Sequence, residues 1–139
     1  MVDGNRNRTA YVVDAWGRIT EIEKPDWNGV ITEYAYNLYG APLYRREKGS
    51  PLGDTYAYTP EGLLKSAISG GMRYSYTYDA MGRLKEKSAS GRRLFALDYD
   101  RNGNLARQID VTGKVTEYRY NLLDQLTEVW SMPMMRIKI

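Results

Sequence analysis

The chemically capable side chains of this chain are aromatic and acidic, because histidine and cysteine are both missing. The 139 residues include 13 Tyr and 3 Trp but no His and no Cys. This composition excludes Ser-His-Asp and Cys-His triads, thiolate chemistry and ordinary zinc, copper or haem sites. We therefore predict no cofactor and no metal site.

Pairs of acids two residues apart are the remaining candidates for catalysis, since two carboxylates can cleave a glycosidic bond. Glu21 with Glu23, and Asp98 with Asp100, fall at alternating strand positions that share a face. Charged residues on a solvated sheet face need no catalytic role, and neither pair lies in a recognisable site. The sequence therefore favours a protein that is not an enzyme.

Exposed aromatic rings offer a different chemistry, because their flat apolar faces can stack on sugar rings. Trp16, Trp27 and Tyr39 lie at or near predicted turns and are the candidate carbohydrate-binding residues. Aromatic residues in loops also often cap the adjacent sheet, so both interpretations stay open.

Charge and hydropathy limit the other partners. The net charge is +3, and the 20 basic and 17 acidic residues are interspersed. Tyr and Arg side chains could stack on the bases of single-stranded nucleic acid, but a net charge of +3 is a weak driving force for such binding. No stretch approaches the roughly 20 apolar residues of a membrane span, and the polar start does not resemble a signal peptide. We predict neither nucleic-acid binding nor a membrane span.

A tyrosine-rich pattern recurs six times, and its clearest copy runs from Tyr76 through Asp79 and Gly82 to Leu84. Successive copies are 20 to 23 residues apart. A fixed period near 21 indicates an array in which each unit buries its apolar groups against its neighbours. The residues that define the copies are Tyr11, Asp14, Gly17, Tyr34, Tyr36, Asn37, Gly40, Tyr56, Tyr58, Gly62, Tyr76, Tyr78, Asp79, Gly82, Tyr99, Asp100, Gly103, Tyr118, Tyr120 and Asn121.

Each copy predicts two strands and two turns. The first turn opens with Asp, Asn or Thr and has Gly three residues later, which is typical of a hairpin with a bulge. A second, looser turn is predicted at Gly4, Asn28-Gly29, Gly53, Gly70-Gly71, Ser90-Gly91 and Thr112-Gly113. The residues between the turns alternate with period two, so they form strands. The predicted fold is all-β, with about six tandem hairpins in a long twisted or spiralling antiparallel sheet whose tyrosines stack in ladders across the strands.

Two copies depart from the pattern. The segment 121–130 has Asp124 in place of the turn glycine, and its apolar spacing also fits a helix with Asn121 as N-cap. We favour a strand there because Tyr118 and Tyr120 keep the register. Pro42 stands where other copies have Leu, which predicts a bulge or an interrupted strand.

The array is predicted to occupy residues 1–130. Residues 131–139 form a tail outside the repeat pattern, which could be a final edge strand, a dock for a neighbour or a cloning remnant.

The motif Tyr-x-Tyr-Asp-x-x-Gly-Arg-Leu at this period resembles the YD repeat of the Rhs family. Tyr76 to Leu84 matches it in full and Tyr11 to Ile19 nearly so, and the resemblance covers about residues 4–130. The family includes bacterial polymorphic toxins, shell-forming components of insecticidal toxin complexes, and animal teneurins. The resemblance implies a β-strip that spirals into a hollow shell.

The resemblance further implies a non-catalytic scaffold, a wall segment of a shell that encapsulates a toxin or effector polypeptide. Carbohydrate binding or attachment to a cell surface is the alternative. The chain contains no Asp-Pro pair, so it lacks the self-cleavage motif of family toxins, and we expect a fragment of a larger shell or a truncated relative. The implied location is bacterial, secreted or at the cell envelope.

Partners follow from the same reasoning. An isolated strip would expose two strand edges, which predicts a homo-oligomer or a strand-swapped dimer. Within a larger protein, the partners would be the rest of the shell, the enclosed chain or glycans.

Overall fold

A computed structural model describes residues 8–24, 30–132 and 135–139, and every regular element within these ranges is a β-strand. The predicted all-β class is therefore confirmed. Gly4, Trp27 and Gly29 lie outside the described residues. The strands are β1 (Ala10–Val13), β2 (Ile19–Lys24), β3 (Val30–Tyr36), β4 (Pro42–Glu47), β5 (Gly53–Tyr58), β6 (Leu64–Ser69), β7 (Met72–Tyr78), β8 (Leu84–Ala89), β9 (Arg92–Tyr99), β10 (Leu105–Ile109), β11 (Val115–Tyr120), β12 (Leu126–Ser131) and β13 (Met135–Lys138).

These strands follow chain order in one open antiparallel sheet, so each strand is bonded to its neighbours in sequence. The predicted tandem hairpins are thus confirmed. The chain also divides into two compact units, Met1–Arg73 and Tyr74–Ile139.

The first turn of each copy, here called the repeat turn, has one geometry throughout. In the first copy the Gly17 amide donates to the Asp14 carbonyl at 3.0 Å, and the Asp14 amide donates to the Arg18 carbonyl at 2.9 Å. Gly17 has φ +77°, the left-handed conformation that glycine adopts without strain. The strand register shifts by one residue next to the turn, between Val12 and Val13. These features define a type I turn closed by a glycine bulge.

Two of the turns that were predicted to be loose are tight two-residue hairpin turns. Gly70 and Gly71 both have positive φ, and so do Ser90 and Gly91. Positive φ at both central residues is the type I′ turn, whose twist matches that of the flanking strands.

Two other looser turns differ from the prediction. Gly53 begins β5, and the turn before it uses Gly49 at φ +81°, with the Ser50 amide bonded to the Glu47 carbonyl at 2.9 Å. The turn at Thr112-Gly113 is not loose, because the Gly113 amide bonds the Asp110 carbonyl at 3.1 Å, as in a repeat turn.

The ambiguous segment after Tyr120 is a strand, and the helical alternative is wrong. β12 spans Leu126–Ser131, and Asp124 takes the glycine position of the turn at φ +58°. Pro42 is the first residue of an uninterrupted β4, a position where its missing N–H is tolerated. The bulge beside it matches those in the other hairpins, so the proline does not cause it. In the tail, β13 pairs with β12.

The sheet is a single layer with almost no core. Among the described residues only Ala67 is buried, at 7% exposure, and it lies opposite Tyr56. Tyrosines alternate with small residues along β5 and β7, so in each unit one face carries the rings. Most of the stabilising free energy must therefore come from contacts between neighbouring strands and from hydrogen bonds, since little apolar area is removed from water.

The tyrosine columns are connected differently from the predicted ladders. Tyr56 lies opposite Ala67 and Tyr76 lies opposite Lys87, because the second strand of each hairpin separates one tyrosine strand from the next. Two strand spacings amount to about 10 Å, which is too far for direct ring stacking. The Lys87 ammonium instead lies 5.4 Å from the Tyr76 ring centre.

The second tyrosine of the motif bridges successive repeats through its hydroxyl. It donates to the carbonyl of the residue that opens the second strand of the preceding hairpin. The four described pairs are Tyr36 to Ile19 at 2.8 Å, Tyr58 to Pro42 at 2.6 Å, Tyr99 to Leu84 at 2.7 Å and Tyr120 to Leu105 at 2.7 Å. Phenylalanine could not make this bond, which explains why this motif position needs tyrosine.

Tyr120→Phe should destabilise the fold, because the Leu105 carbonyl loses its hydroxyl donor. We expect the free energy of unfolding to fall by about 0.5–1.5 kcal/mol, measured by urea denaturation. Tyr118→Phe is the matched control, since no hydrogen bond involves the Tyr118 hydroxyl among the described residues. Equal effects of the two substitutions would contradict the bridging role.

Gly53→Ala should also destabilise the fold, for a steric reason. A Cβ at position 53 would lie 2.4 Å from the Arg46 Cβ and 2.6 Å from the Arg45 carbonyl oxygen. The strands must move apart, and we expect a loss of about 1–3 kcal/mol. Thr55→Ala, on the same strand face, adds no such contact and should cost less than about 1 kcal/mol. Calorimetry on both variants checks this, and an unchanged melting temperature for Gly53→Ala would refute it.

Candidate functional site

The repeat turns are the best-defined polar sites of the molecule, and the opening side chain organises each of them. In the first, one Asp14 carboxylate oxygen accepts the backbone amides of Trp16 at 2.9 Å and Arg18 at 3.0 Å. The other oxygen accepts the Arg18 Nε at 2.6 Å. Asn37 and Asn121 hold the same two backbone amides with their side-chain oxygens. The turn therefore needs a short oxygen acceptor, but not a charge.

Arginine after the turn glycine connects one repeat to the next. The Arg18 guanidinium lies 5.0 Å from the Trp16 ring centre and 4.9 Å from that of Tyr36. Its Nη1 also donates to the Asn37 carbonyl at 3.2 Å. One side chain thus closes its own turn and touches the following turn. The motif includes this arginine, but the sequence alone did not reveal its role.

The same arrangement returns in the second unit. Arg83 Nε bonds the Asp79 carboxylate at 2.7 Å, and its guanidinium lies 4.6 Å from the Tyr99 ring centre. The backbone amide of Arg83 holds the pKa of Asp79 below its usual value against the opposing effect of desolvation, and the Arg83 side chain and the Met81 amide lower it further. The carboxylate is therefore stabilised in its charged form by the folded turn.

Two of the predicted aromatic residues meet at an open cleft in the first unit. The cleft has a volume of about 390 Å³ and is lined by Trp16, Arg18, Tyr36, Asn37, Leu38, Tyr39 and Gly40. Trp16 is 76% exposed, Tyr39 is 90% exposed and Leu38 is 95% exposed. Trp27 lies outside the described residues. Leu38 was missed by sequence reasoning, although its place beside Tyr39 in the turn could have indicated it.

The cleft is suited to contact and not to reaction. Its walls are rings and aliphatic groups, and its one charged group, Arg18, is paired with Asp14 at 2.6 Å. The side-chain oxygen of Asn37 is occupied by two backbone amides. Such a surface can stack against a flat apolar face and offer a few hydrogen bonds at its rim.

The structure places the two predicted acid pairs in different environments. Glu21 and Glu23 both lie in β2, and Glu21 accepts a bond from the Lys48 ammonium at 2.9 Å. Asp98 and Asp100 do not share a strand face as predicted, because β9 ends at Tyr99. The Asp100 carboxylate instead accepts the backbone amides of its own turn.

The described ranges contain no group of three or more acidic side chains placed to hold a metal ion. They also contain no helix long and apolar enough to cross a membrane.

Comparison with known proteins supports this architecture. The family model described as RHS Repeat matches residues 99–129. Mouse teneurin-4 is 28% identical over 119 residues, which is 84% of this chain but 4% of the teneurin. Human teneurin-4 is 27% identical over a stretch of the same length. The chain therefore spans a small fraction of the length of these relatives.

Solved structures share the fold. The TcdB2-TccC3 crystal structure superposes with a TM-score of 0.70 at 16% identity, covering 95% of this chain and 8% of that one. The Tc holotoxin pore of Photorhabdus luminescens gives 0.68 at 15% identity, again over 95% and 8%. The fold is an antiparallel sheet of tandem β-hairpin repeats. The resemblance to the YD, or Rhs, repeat family that the motif predicted is confirmed by the RHS Repeat match and the teneurin relatives.

Replacing Asp79 with Asn tests the electrostatics of the repeat turn. Because the folded-state pKa of Asp79 is lowered, its charge stabilises the fold above the unfolded value of about 3.9, and this stabilisation is lost as the pH falls through the folded value. Asp79→Asn should be less stable at pH 7, yet lose less stability between pH 7 and pH 3. Urea denaturation at both values measures the difference.

Asp98→Asn is the control for this experiment, since Asp98 is an exposed acid outside the turns. It should leave the wild-type pH dependence nearly unchanged. The turn interpretation is contradicted if the two variants respond alike.

Proposed function

We propose that this chain is a wall segment of a YD/Rhs-repeat shell that encloses a toxin or effector polypeptide. The observation that carries the proposal is the single-layer sheet, in which the described residues include one buried side chain, Ala67. Such a strip has two large faces and no enclosed site of its own. It is suited to separating two compartments, with cargo on one side and solvent on the other.

The backbone supports this barrier role. A continuous ladder leaves no gap between neighbouring strands within each unit, and hydroxyl bridges such as Tyr99 to Leu84 join four pairs of successive hairpins. A wall of this kind would keep an enclosed chain from proteases and delay its release. The proposed location is outside the cytoplasm of a bacterium, as part of a secreted or envelope-associated protein.

The last described strand offers an edge for self-association, or for pairing with the rest of a shell. The Ile139 amide donates inward to the Thr127 carbonyl at 2.9 Å. Because amides alternate along a strand, the Lys138 amide faces away from β12. Unpaired edge amides recruit further strands, so the isolated chain should form a homo-oligomer or a strand-swapped dimer.

Lys138→Pro tests this edge, because proline removes the outward amide and no inward bond. We expect light scattering to show a smaller assembly than wild type while circular dichroism keeps its β spectrum. Lys138→Ala retains the amide and should assemble as wild type does. A wild-type monomer at high concentration would refute self-association, and an unchanged mass for Lys138→Pro would refute this edge.

Carbohydrate binding is the second candidate function, and the cleft favours it. Trp16 and Tyr39 come from successive repeat turns and line one depression with highly exposed rings. Two rings at neighbouring turns would stack on a glycan and leave its hydroxyls in water. Attachment to a cell-surface glycan would be compatible with the wall role, since the cleft lies at the turns and outside the strands.

A glycan array on wild type and Trp16→Ala tests the second function. We expect at least one glycan whose signal falls tenfold or more in Trp16→Ala and Tyr39→Ala. Met81→Ala, at the equivalent turn position in the second unit and 79% exposed, should keep the wild-type signal. An array without hits, or hits that all three variants share, would exclude this cleft as the binding site.

A further inference from the structure

The side chain directly after the turn glycine, here called the latch residue, reaches the next repeat in three of the described copies. Arg18 bonds the Asn37 carbonyl at 3.2 Å, and Arg83 lies 4.6 Å from the Tyr99 ring centre. Asn104 donates to the Asp124 carboxylate at 2.8 Å. Each contact joins the turn ends of neighbouring hairpins, beyond the backbone ladder and the tyrosine bridge.

The joint between the second and third copies differs. Its latch residue is Ala41, which has no side chain to reach the turn opened by Thr59. Among the described residues, no side-chain hydrogen bond, ion pair or ring contact joins these two turns. The bridge from Tyr58 to the Pro42 carbonyl at 2.6 Å remains. This joint therefore has one connection fewer at its turn end than the joints that Arg18, Arg83 and Asn104 make.

Asp124 accepts its latch contacts from a backbone conformation that is strained for a residue other than glycine. It occupies a left-handed position, φ +58°, that glycine holds in the other described repeat turns. Its carboxylate accepts both Asn102 at 2.9 Å and Asn104 at 2.8 Å from the preceding turn. Glycine would relieve the strain but could accept neither amide.

We propose that the latch residue sets the stiffness of each joint, so that within the first unit the joint at Ala41 is less stiff than the joint latched by Arg18. Local opening occurs where the fewest interactions must break. The β4–β5 ladder should therefore open more readily because its turn end lacks a latch, and within this unit bending should be easier there than at the latched joint. This rule concerns the chain itself and holds whatever a shell encloses.

Installing the missing latch is the first test. Asn37→Asp with Ala41→Arg recreates the Asp–Arg pair of the first copy beside Tyr58. Amide hydrogen exchange by NMR should show β4–β5 protection rising about twofold to fivefold, the range of an exposed cation–ring contact. Two control variants lack the guanidinium: Asn37→Asp alone, and Asn37→Asp with Ala41→Met. Their β4–β5 protection should stay within twofold of wild type.

Removing an existing latch is the converse test. Arg83→Met keeps an unbranched aliphatic stem but removes the guanidinium and its charge, so protection in the β8–β9 ladder should fall about twofold to fivefold. The proposal is overturned if β4–β5 protection does not rise in the installed variant, or if Arg83→Met leaves β8–β9 unchanged.

The role of Asp124 has an independent test, in which one substitution should change the urea midpoint in opposite directions in two backgrounds. In the wild-type background, Asp124→Gly should lower the urea midpoint, because two hydrogen bonds are lost. In a background carrying Asn102→Ala and Asn104→Ala, the same substitution should raise the midpoint, because only the strain is removed. A shift in the same direction in both backgrounds would show that Asp124 does not act as a latch acceptor.

Discussion

The described residues form almost no hydrophobic core, and the main features of the repeat follow from this. One layer of β-sheet leaves both faces in contact with water, so little stabilisation comes from removing apolar area. Each repeat must therefore be held by its neighbours, strand to strand. That constraint explains why a residue pattern is repeated so strictly along the chain. A position that links two repeats has to be supplied again at every joint.

The YD motif can be understood residue by residue on this basis. The acidic or amide side chain holds the turn by accepting two backbone amides, and the glycine, or Asp124 in the last copy, supplies the left-handed backbone position. The second tyrosine bridges to the preceding hairpin, and the residue after the glycine reaches the following one. Where both residues make these contacts, a repeat is connected in both directions, which is nearest-neighbour coupling of the kind that repeat proteins use.

Much of this could be predicted from the sequence. Turn chemistry and period-two alternation are local properties, so the hairpins, the repeat turns and the strand after Asn121 followed from residue types alone. The predicted turn at Gly53 was wrong, because Gly49, four residues earlier, can also adopt the left-handed conformation. The sequence alone does not indicate which of the two glycines forms the turn. Pro42 did not interrupt its strand because it lies at the first position, where its missing amide is harmless.

The sequence by itself determined the fold class, the repeat period, the resemblance to the YD-repeat family and the exclusion of His- and Cys-based chemistry, because these depend on composition and short-range spacing. Only the tertiary structure decided which residues meet across repeats. Trp16 and Tyr39 are 23 positions apart and yet line one cleft, and Arg18 touches a turn that begins at Asn37. Such contacts between repeats depend on strand register and on the direction of each side chain, which are fixed only when neighbouring hairpins pair.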